Sequence, residues 1–316
     1  DAEIRQQLQW AEADAHLAVE PTVLQTQDSD GNRATFVSAG ARLGAPWGGR
    51  LTATAGWRHA TFLAAEGTAT SFRGTATWPL GTSGATVRAD AGATLTDGRL
   101  NPQAASRQLV QPFVSVGTNW RRGGRAASLS VARRPFDDIA VLIANGISTT
   151  AAEGSVELPL PMRLTALGEA SWTRFEGGAP NARRSGAVTI LARPATWAGV
   201  GGIVRQLGHS GRPLDGYFAP RRYALAEGLV RLGRERDLGW MGTLELGVGQ
   251  QAITFASGTE LVQGTQRVTG TFTWRPVPRF EVTTFLDAGR MASPFAQTGA
   301  RYEYVVWGLR GRLPTW

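Results

Sequence analysis

Cysteine and lysine are both missing from the 316 residues. Without cysteine there is no disulfide framework, which fits an exported chain stabilised by other means and equally a Cys-free cytosolic one. Without lysine there can be no Walker phosphate loop, and the net charge of +8 comes entirely from arginine. A basic excess is compatible with nucleic acid, an anionic glycan or lipopolysaccharide, and composition alone does not choose among them. Histidine is scarce: His16, His59 and His209 lie far apart, none with a neighbour at metal-ligand spacing, so neither a metal centre nor a cofactor is expected. Long apolar runs are missing too. The longest, around Ile139 to Ile143, falls far short of the ~18 residues that a membrane-spanning helix needs. That excludes a helical membrane protein but not a membrane barrel, whose strands hide their apolar residues by alternating them with polar ones.

What is present points the same way. Forty glycines and sixteen prolines suit curved sheets and tight turns, and eleven tryptophans suit the headgroup layers at two membrane faces. Only the first residues read as helix, with Ile4, Leu8 and Ala11 at helical spacing. After about Ala15 the period becomes two. Leu51, Ala53, Ala55 and Trp57 alternate with Thr52, Thr54, Gly56 and Arg58, and Val87, Ala89, Ala91, Ala93 and Leu95 with Arg88, Asp90 and Thr94. The expected fold is all-β: a transmembrane antiparallel up-and-down barrel of about sixteen strands over residues 15–316, after a short N-terminal helix over 1–14.

The connections sort by parity. Even-numbered ones are short and often carry proline, at Ala45–Gly49, Pro79–Gly84, Arg121–Gly124, Pro159–Pro161, Pro194–Thr196 and Pro276–Pro278. Odd-numbered ones tend to be longer, at Asp97–Arg107, Phe136–Gly146, Phe175–Asn181, His209–Arg221, Thr254–Leu261 and Met291–Ala300. Short turns at one end and long loops at the other match the periplasmic and extracellular ends of an outer-membrane barrel. The last segment, Tyr302 to Leu313, puts Val305, Trp307, Leu309 and Leu313 on one face, and the sequence ends on the aromatic Trp316.

Catalytic patterns are weak. His209 and Ser210 are adjacent in a loop, where they cannot easily face each other, so a hydrolytic pair is disfavoured. Asp28-Ser29-Asp30-Gly31-Asn32 resembles the start of a calcium loop but lacks its glutamate, and a hairpin turn is the better reading. Arg121-Arg122-Gly123-Gly124-Arg125 reads as a tight turn, not a nucleic-acid element. The chain is expected to be no enzyme.

What remains is the inner wall of the barrel. The strand faces put Arg42, Arg58, Arg73, Arg88, Arg134, Arg163, Arg267 and Arg310 in the lumen, with Asp90, Glu153, Glu157, Glu169, Glu245, Glu281 and Asp287 among them. A charge facing lipid near the midplane would cost about 2–4 kcal/mol, so the charges should point inward. They either neutralise one another in a wet pore or form a ladder along which a polar polymer slides.

Two segments carry a resemblance to a family. Gly216-Tyr217-Phe218-Ala219-Pro220-Arg221-Arg222-Tyr223, with Gly247-Val248-Gly249-Gln250-Gln251 downstream, resembles the Gly-Tyr-Phe-Ser-Pro-Gln-x-Tyr segment of the C-terminal porin of the bacterial cellulose synthase operon protein C. Arg134-Pro135-Phe136-Asp137-Asp138 is similar to that family's Arg-x-Pro-Val-Thr-Asp-Ser segment, with Ile139 in place of the serine. The resemblance implies a barrel in the bacterial outer membrane that follows a periplasmic tetratricopeptide-repeat array and exports a polysaccharide. Its partners would be outer-membrane lipid and lipopolysaccharide, the glycan, and a periplasmic scaffold or inner-membrane synthase, with no nucleic acid. Residues 1–14 would then end such an array, and Tyr223 would stack against sugars. The arginine excess suits an acidic glycan better than cellulose. A general diffusion porin, which usually folds a loop inward as a constriction, and a structural or adhesive surface barrel are the competing readings.

Overall fold

The computed structural model describes residues 17–81, 83–178, 180–211, 219–234, 239–292 and 301–314. The expected N-terminal helix, Trp316 and the motif residues Gly216, Tyr217 and Phe218 lie outside them.

Sixteen antiparallel strands form one closed barrel. The first eight are β1 (Ala18–Asp28), β2 (Arg33–Ala45), β3 (Gly49–Phe62), β4 (Ala65–Leu80), β5 (Ala85–Arg99), β6 (Arg107–Arg122), β7 (Arg125–Pro135) and β8 (Ser148–Leu160). The rest are β9 (Leu164–Glu176), β10 (Asn181–Ala195), β11 (Ala198–His209), β12 (Arg222–Arg234), β13 (Gly239–Thr254), β14 (Glu260–Val277), β15 (Phe280–Ala292) and β16 (Arg301–Pro314). Each pairs with its sequence neighbours, and β1 pairs with β16 to close the sheet. Closure satisfies every strand edge, which hydrocarbon demands because it offers no water to an unpaired backbone group.

Cross-strand partners share a face, so the register fixes inside and outside. Val23, Val37 and Trp57 stand in one row, as do Val230, Leu246 and Val268. This face carries solvent-accessible valine, leucine and tryptophan around the barrel. The opposite face carries the arginines, carboxylates, serines and threonines. Trp78, Trp120, Trp240 and Trp274 fall near the even-numbered turns, and Trp47 and Trp197 lie in those turns, forming a girdle at that end. Trp240 stacks on Trp274 with ring centroids 5.6 Å apart. Gly49 leaves room for the Trp78 indole, which an added Cβ would strike.

The even connections are all short, and the predicted Arg121–Arg125 turn closes over Gly123 and Gly124, both at positive φ (57° and 76°). The odd ones are more varied than the sequence suggests. The segment 63–64 has Leu63 at φ 51° and is as tight as any even turn. Strands also run further than expected: Pro79, Pro159, Pro194 and Pro276 lie within strand ends, not in turns. A terminal strand residue can dispense with the N–H that proline lacks.

A helix occurs where none was expected, α1 (Ala140–Asn145), capped by Gly146 in the left-handed region (φ 66°, ψ 36°). No helix of the described residues is long and apolar enough to cross a membrane.

The outward face should behave as a lipid surface. Val248→Arg, at an exposed outward position midway along β13, is expected to destabilise the barrel in lipid vesicles by about 2–4 kcal/mol. The inward Thr269→Arg should cost far less. Urea-dependent folding into vesicles measures both, and equal effects would contradict the assignment of faces.

Candidate functional site: the inner wall and the inward segment 136–147

The register brings the expected lumen residues onto one continuous inner face. Asp90 gathers the densest group: it accepts from Arg73 Nε (3.1 Å), Arg88 Nη2 (2.9 Å), Thr75 Oγ1 (2.6 Å) and Ser115 Oγ (2.6 Å). The Arg73 guanidinium also lies 4.2 Å from the centroid of the Phe113 ring. Across the bore, Glu245 bridges Arg231 (2.9 Å) and Arg267 (2.9 Å), and Arg267 is 3.5 Å from Glu227, which accepts from Thr265 at 2.9 Å. Glu20 gathers Arg310 (3.0 Å), Arg42 (3.5 Å) and Arg312 (3.8 Å), and Glu281 pairs with Arg275. Asp287 accepts from the Tyr304 hydroxyl at 3.1 Å. Arg134, Glu153, Glu157 and Glu169 face inward in register with these rows, and Arg134, Glu153 and Glu169 are exposed.

Two expected positions are corrected. Arg163 is not on a strand face: it occupies the β8–β9 turn at φ 58° and donates to the Pro194 carbonyl at 3.3 Å, which puts it at the rim of the short-turn end. Tyr223 offers no open ring for stacking, because it is buried with Leu225, Ile253 and Phe255. Pro220 of the same motif is fully buried, and its carbonyl accepts from the His209 backbone N–H at 3.1 Å. The His209 ring lies 5.9 Å from Phe175, while Ser210 Oγ accepts from the Ala182 N–H at 3.1 Å. The two are engaged separately and form no hydrolytic pair. Asp28 closes its turn as expected, accepting from the Asn32 N–H (2.9 Å) and Nδ2 (2.7 Å).

Outward charges do occur, contrary to the expectation that all face the lumen. Arg99–Glu66 (2.6 Å), Arg133–Glu176 (2.8 Å) and Arg290–Glu303 (2.5 Å) are outward pairs at the strand ends near the odd-numbered loops. Pairing and water access remove most of the cost that a midplane charge would carry.

Segment 136–147 folds into the bore. Its helix α1 lies on the inner faces of β3, β4 and β5, where Ile143 and Ala140 pack with Ala60, Phe62 and Ala65. Gly67 and Gly98 are the reason it fits: an added Cβ would come within 2.8 Å of Ile143 and of the Ala144 backbone. From there Leu142 and Ile147 reach Phe175 of β9 and Ala219 of the β11–β12 connection. Arg58 fixes the segment by donating to the Asp137 carbonyl (2.9 Å) and pairing with the Asp138 carboxylate. Arg107 donates to the Asn145 carbonyl (2.8 Å) and Gln111 to that of Gly146 (3.0 Å). The loop end of the bore is thereby narrowed. Sequence reading marked Phe136–Gly146 as a long connection but not its helix or its inward fold, for which the apolar run at Ile139 and the helix-ending Asn145-Gly146 were the signals.

No family model and no curated protein matches the sequence. Solved structures do. One described as a "Bacterial polysaccharide outer membrane secretin" aligns over 96% of this chain and 99% of its own, with a TM-score of 0.68 and 9% identity. CdiB from Acinetobacter baumannii aligns over 93% of this chain and 60% of its own, with a TM-score of 0.54 and 10% identity. These identities establish a shared outer-membrane barrel fold and nothing finer.

Two predictions follow from the inward segment. Arg58→Ala removes a donor to the Asp137 carbonyl and the partner of the exposed Asp138 carboxylate and should weaken docking by about 1.5–3 kcal/mol, read as higher or noisier single-channel conductance in planar bilayers. The second concerns acid. Burial pushes the Asp137 carboxyl above the usual aspartate range, outweighing the pull of Arg58 and Arg134, and Asp138 adds to the rise. The docked segment therefore holds that proton more tightly than a released one, so docking strengthens and conductance falls as pH drops through the Asp137 range. Asp137→Asn should flatten this response, and an unchanged response would assign it elsewhere.

Proposed function

We propose that this chain is a bacterial outer-membrane pore through which an extended polysaccharide passes from the periplasm to the cell exterior. One observation carries the reading: the inner wall of a closed sixteen-strand barrel is lined with arginine, carboxylate and hydroxyl groups, while its outer wall carries a band of valine, leucine and tryptophan. Such groups exchange hydrogen bonds with a hydroxyl-rich chain without any single deep well, as conduction requires. The resemblance at Gly216–Tyr223 and the fold shared with a polysaccharide secretin support the same direction. The pore would catalyse no reaction and need no cofactor; synthesis on the inner side would supply the drive. Its surroundings would be outer-membrane lipid and lipopolysaccharide, with a tetratricopeptide scaffold or inner-membrane synthase behind the short-turn end.

The inward segment 136–147 favours a second reading, a diffusion porin for small solutes, in which it would act as the constriction. The two readings separate in cells. A deletion strain should lose secreted glycan and keep normal uptake of small solutes if the pore exports a polymer. Normal secretion combined with impaired uptake would establish the porin instead.

A further inference from the structure

The inner wall is divided by how its arginines are held. On the side formed by β12 to β16 and β1 to β2, Arg231, Arg267, Arg275, Arg310, Arg312 and Arg42 are tied to Glu245, Glu227, Glu281 and Glu20. Apart from Arg107, which the Asn145 carbonyl holds, the inward arginines on the side formed by β6 to β11 are Arg121, Arg193, Arg205, Arg183 and Arg134, with Arg163 at the rim. Among the described residues none of these six is within ion-pairing distance of a carboxylate. Arg163 has only the Pro194 carbonyl, and Arg183 reaches Thr173 Oγ1 at 3.5 Å.

We propose that the wall from β6 to β11 is the track of a polyanionic chain, a glycan bearing carboxylate or other acidic groups. The proposal rests on the export reading and adds to it the charge class and the route. Arg121, Arg163 and Arg193 stand at the short-turn mouth, Arg205 and Arg183 follow up β11 and β10, and Arg134 stands where β7 meets the inward segment. Cations in no ion pair therefore run from mouth to constriction along one side, although Glu153 acts on Arg183 and Asp137 on Arg134 from further away. Guanidinium groups match carboxylates in a two-point geometry, and a cluster at the mouth raises the local concentration of an anion.

Between the cations the wall is built for sugar hydroxyls. A bay of about 420 Å³ is floored by the hydrogen-bonded pairs Ser128–Ser155 (2.7 Å) and Ser171–Ser185 (2.6 Å). Glu153 and Glu169 line the same bay. They interrupt the basic run, which makes the track shallower than an all-arginine wall and lets the chain leave each station. A neutral polymer would make no use of the charge on these six arginines, which are in no ion pair, and a polycation would be repelled at the mouth.

The test uses the purified barrel in planar bilayers, with oligogalacturonate and cello-oligosaccharide of equal length added at the short-turn side. The channel should be anion-selective in a salt gradient, and the acidic oligomer should block at a concentration about tenfold lower than the neutral one. That preference should shrink as salt rises. The triple variant Arg183→Gln/Arg193→Gln/Arg205→Gln should lose the preference and keep an open channel, whereas Arg310→Gln on the paired wall should retain it. A variant with residues 137–145 replaced by a short Gly-Ser linker repeats the measurement in a wider bore. Equal block by both oligomers, or a cation-selective channel, overturns the polyanion track and leaves the export pore standing. Absence of block by either oligomer in the widened variant, with normal glycan secretion from a deletion strain, overturns both.

Discussion

Everything in this structure depends on the pairing of β1 with β16. Val23 with Leu309, and Gln25 with Trp307, join the first strand to the last across almost the whole chain. Without that seam two strand edges would present unpaired N–H and C=O groups to hydrocarbon, at several kcal/mol for each group. With it, the sheet has an inside and an outside all the way round, and the period of two acquires physical meaning. An apolar residue at one position faces lipid, and its neighbour faces enclosed water. The arginines can then be held inside a chain of mixed composition, because enclosed water replaces the solvation that lipid would deny them.

Strand identity is legible in the sequence because alternation is local: Leu51 to Arg58 reveals its two faces without knowledge of any other strand. The number of strands and the two ends follow from turn chemistry, which is also local. The inward segment is a different matter. Its docking floor is Ala60, Gly67 and Gly98, which pass as ordinary small strand residues, and only the register between β3, β4 and β5 brings them side by side. The ion pairs are hidden for the same reason. Arg42 and Arg310 both lean on Glu20, at the opposite end of the chain from Arg310, and nothing in the local sequence announces that.

Tyr223 illustrates the limit of reading a motif without its surroundings. An inward tyrosine in a pore reads as a stacking surface for sugar, and its parity is indeed inward. Yet Leu207, Leu225, Ile253 and Phe255 face the same way around it, and together they close into a small apolar cluster that buries the ring. Parity states which side of the sheet a residue occupies, while the neighbours decide whether it is wet. The inward aromatics thus strengthen the wall in places, as Phe113 does beneath Arg73.

The inward segment and the unpaired arginines divide the bore between them. Helix α1 occupies the β3–β5 wall through apolar contacts, where the inward surface is small residues, and the Arg58 pair with Asp138 fixes its approach. It does not cover the serine-floored bay between β7 and β11, which stays open to the lumen. A constriction anchored on one side narrows the passage without coating the wall along which a chain would travel. The same division explains why the paired arginines sit where they do. Cations tied into Glu20, Glu227 and Glu245 stiffen the wall and have their donors engaged, so an anion in the pore meets available donors mainly on the side from β6 to β11. Position within the bore, more than the total of +8, therefore determines what this barrel attracts.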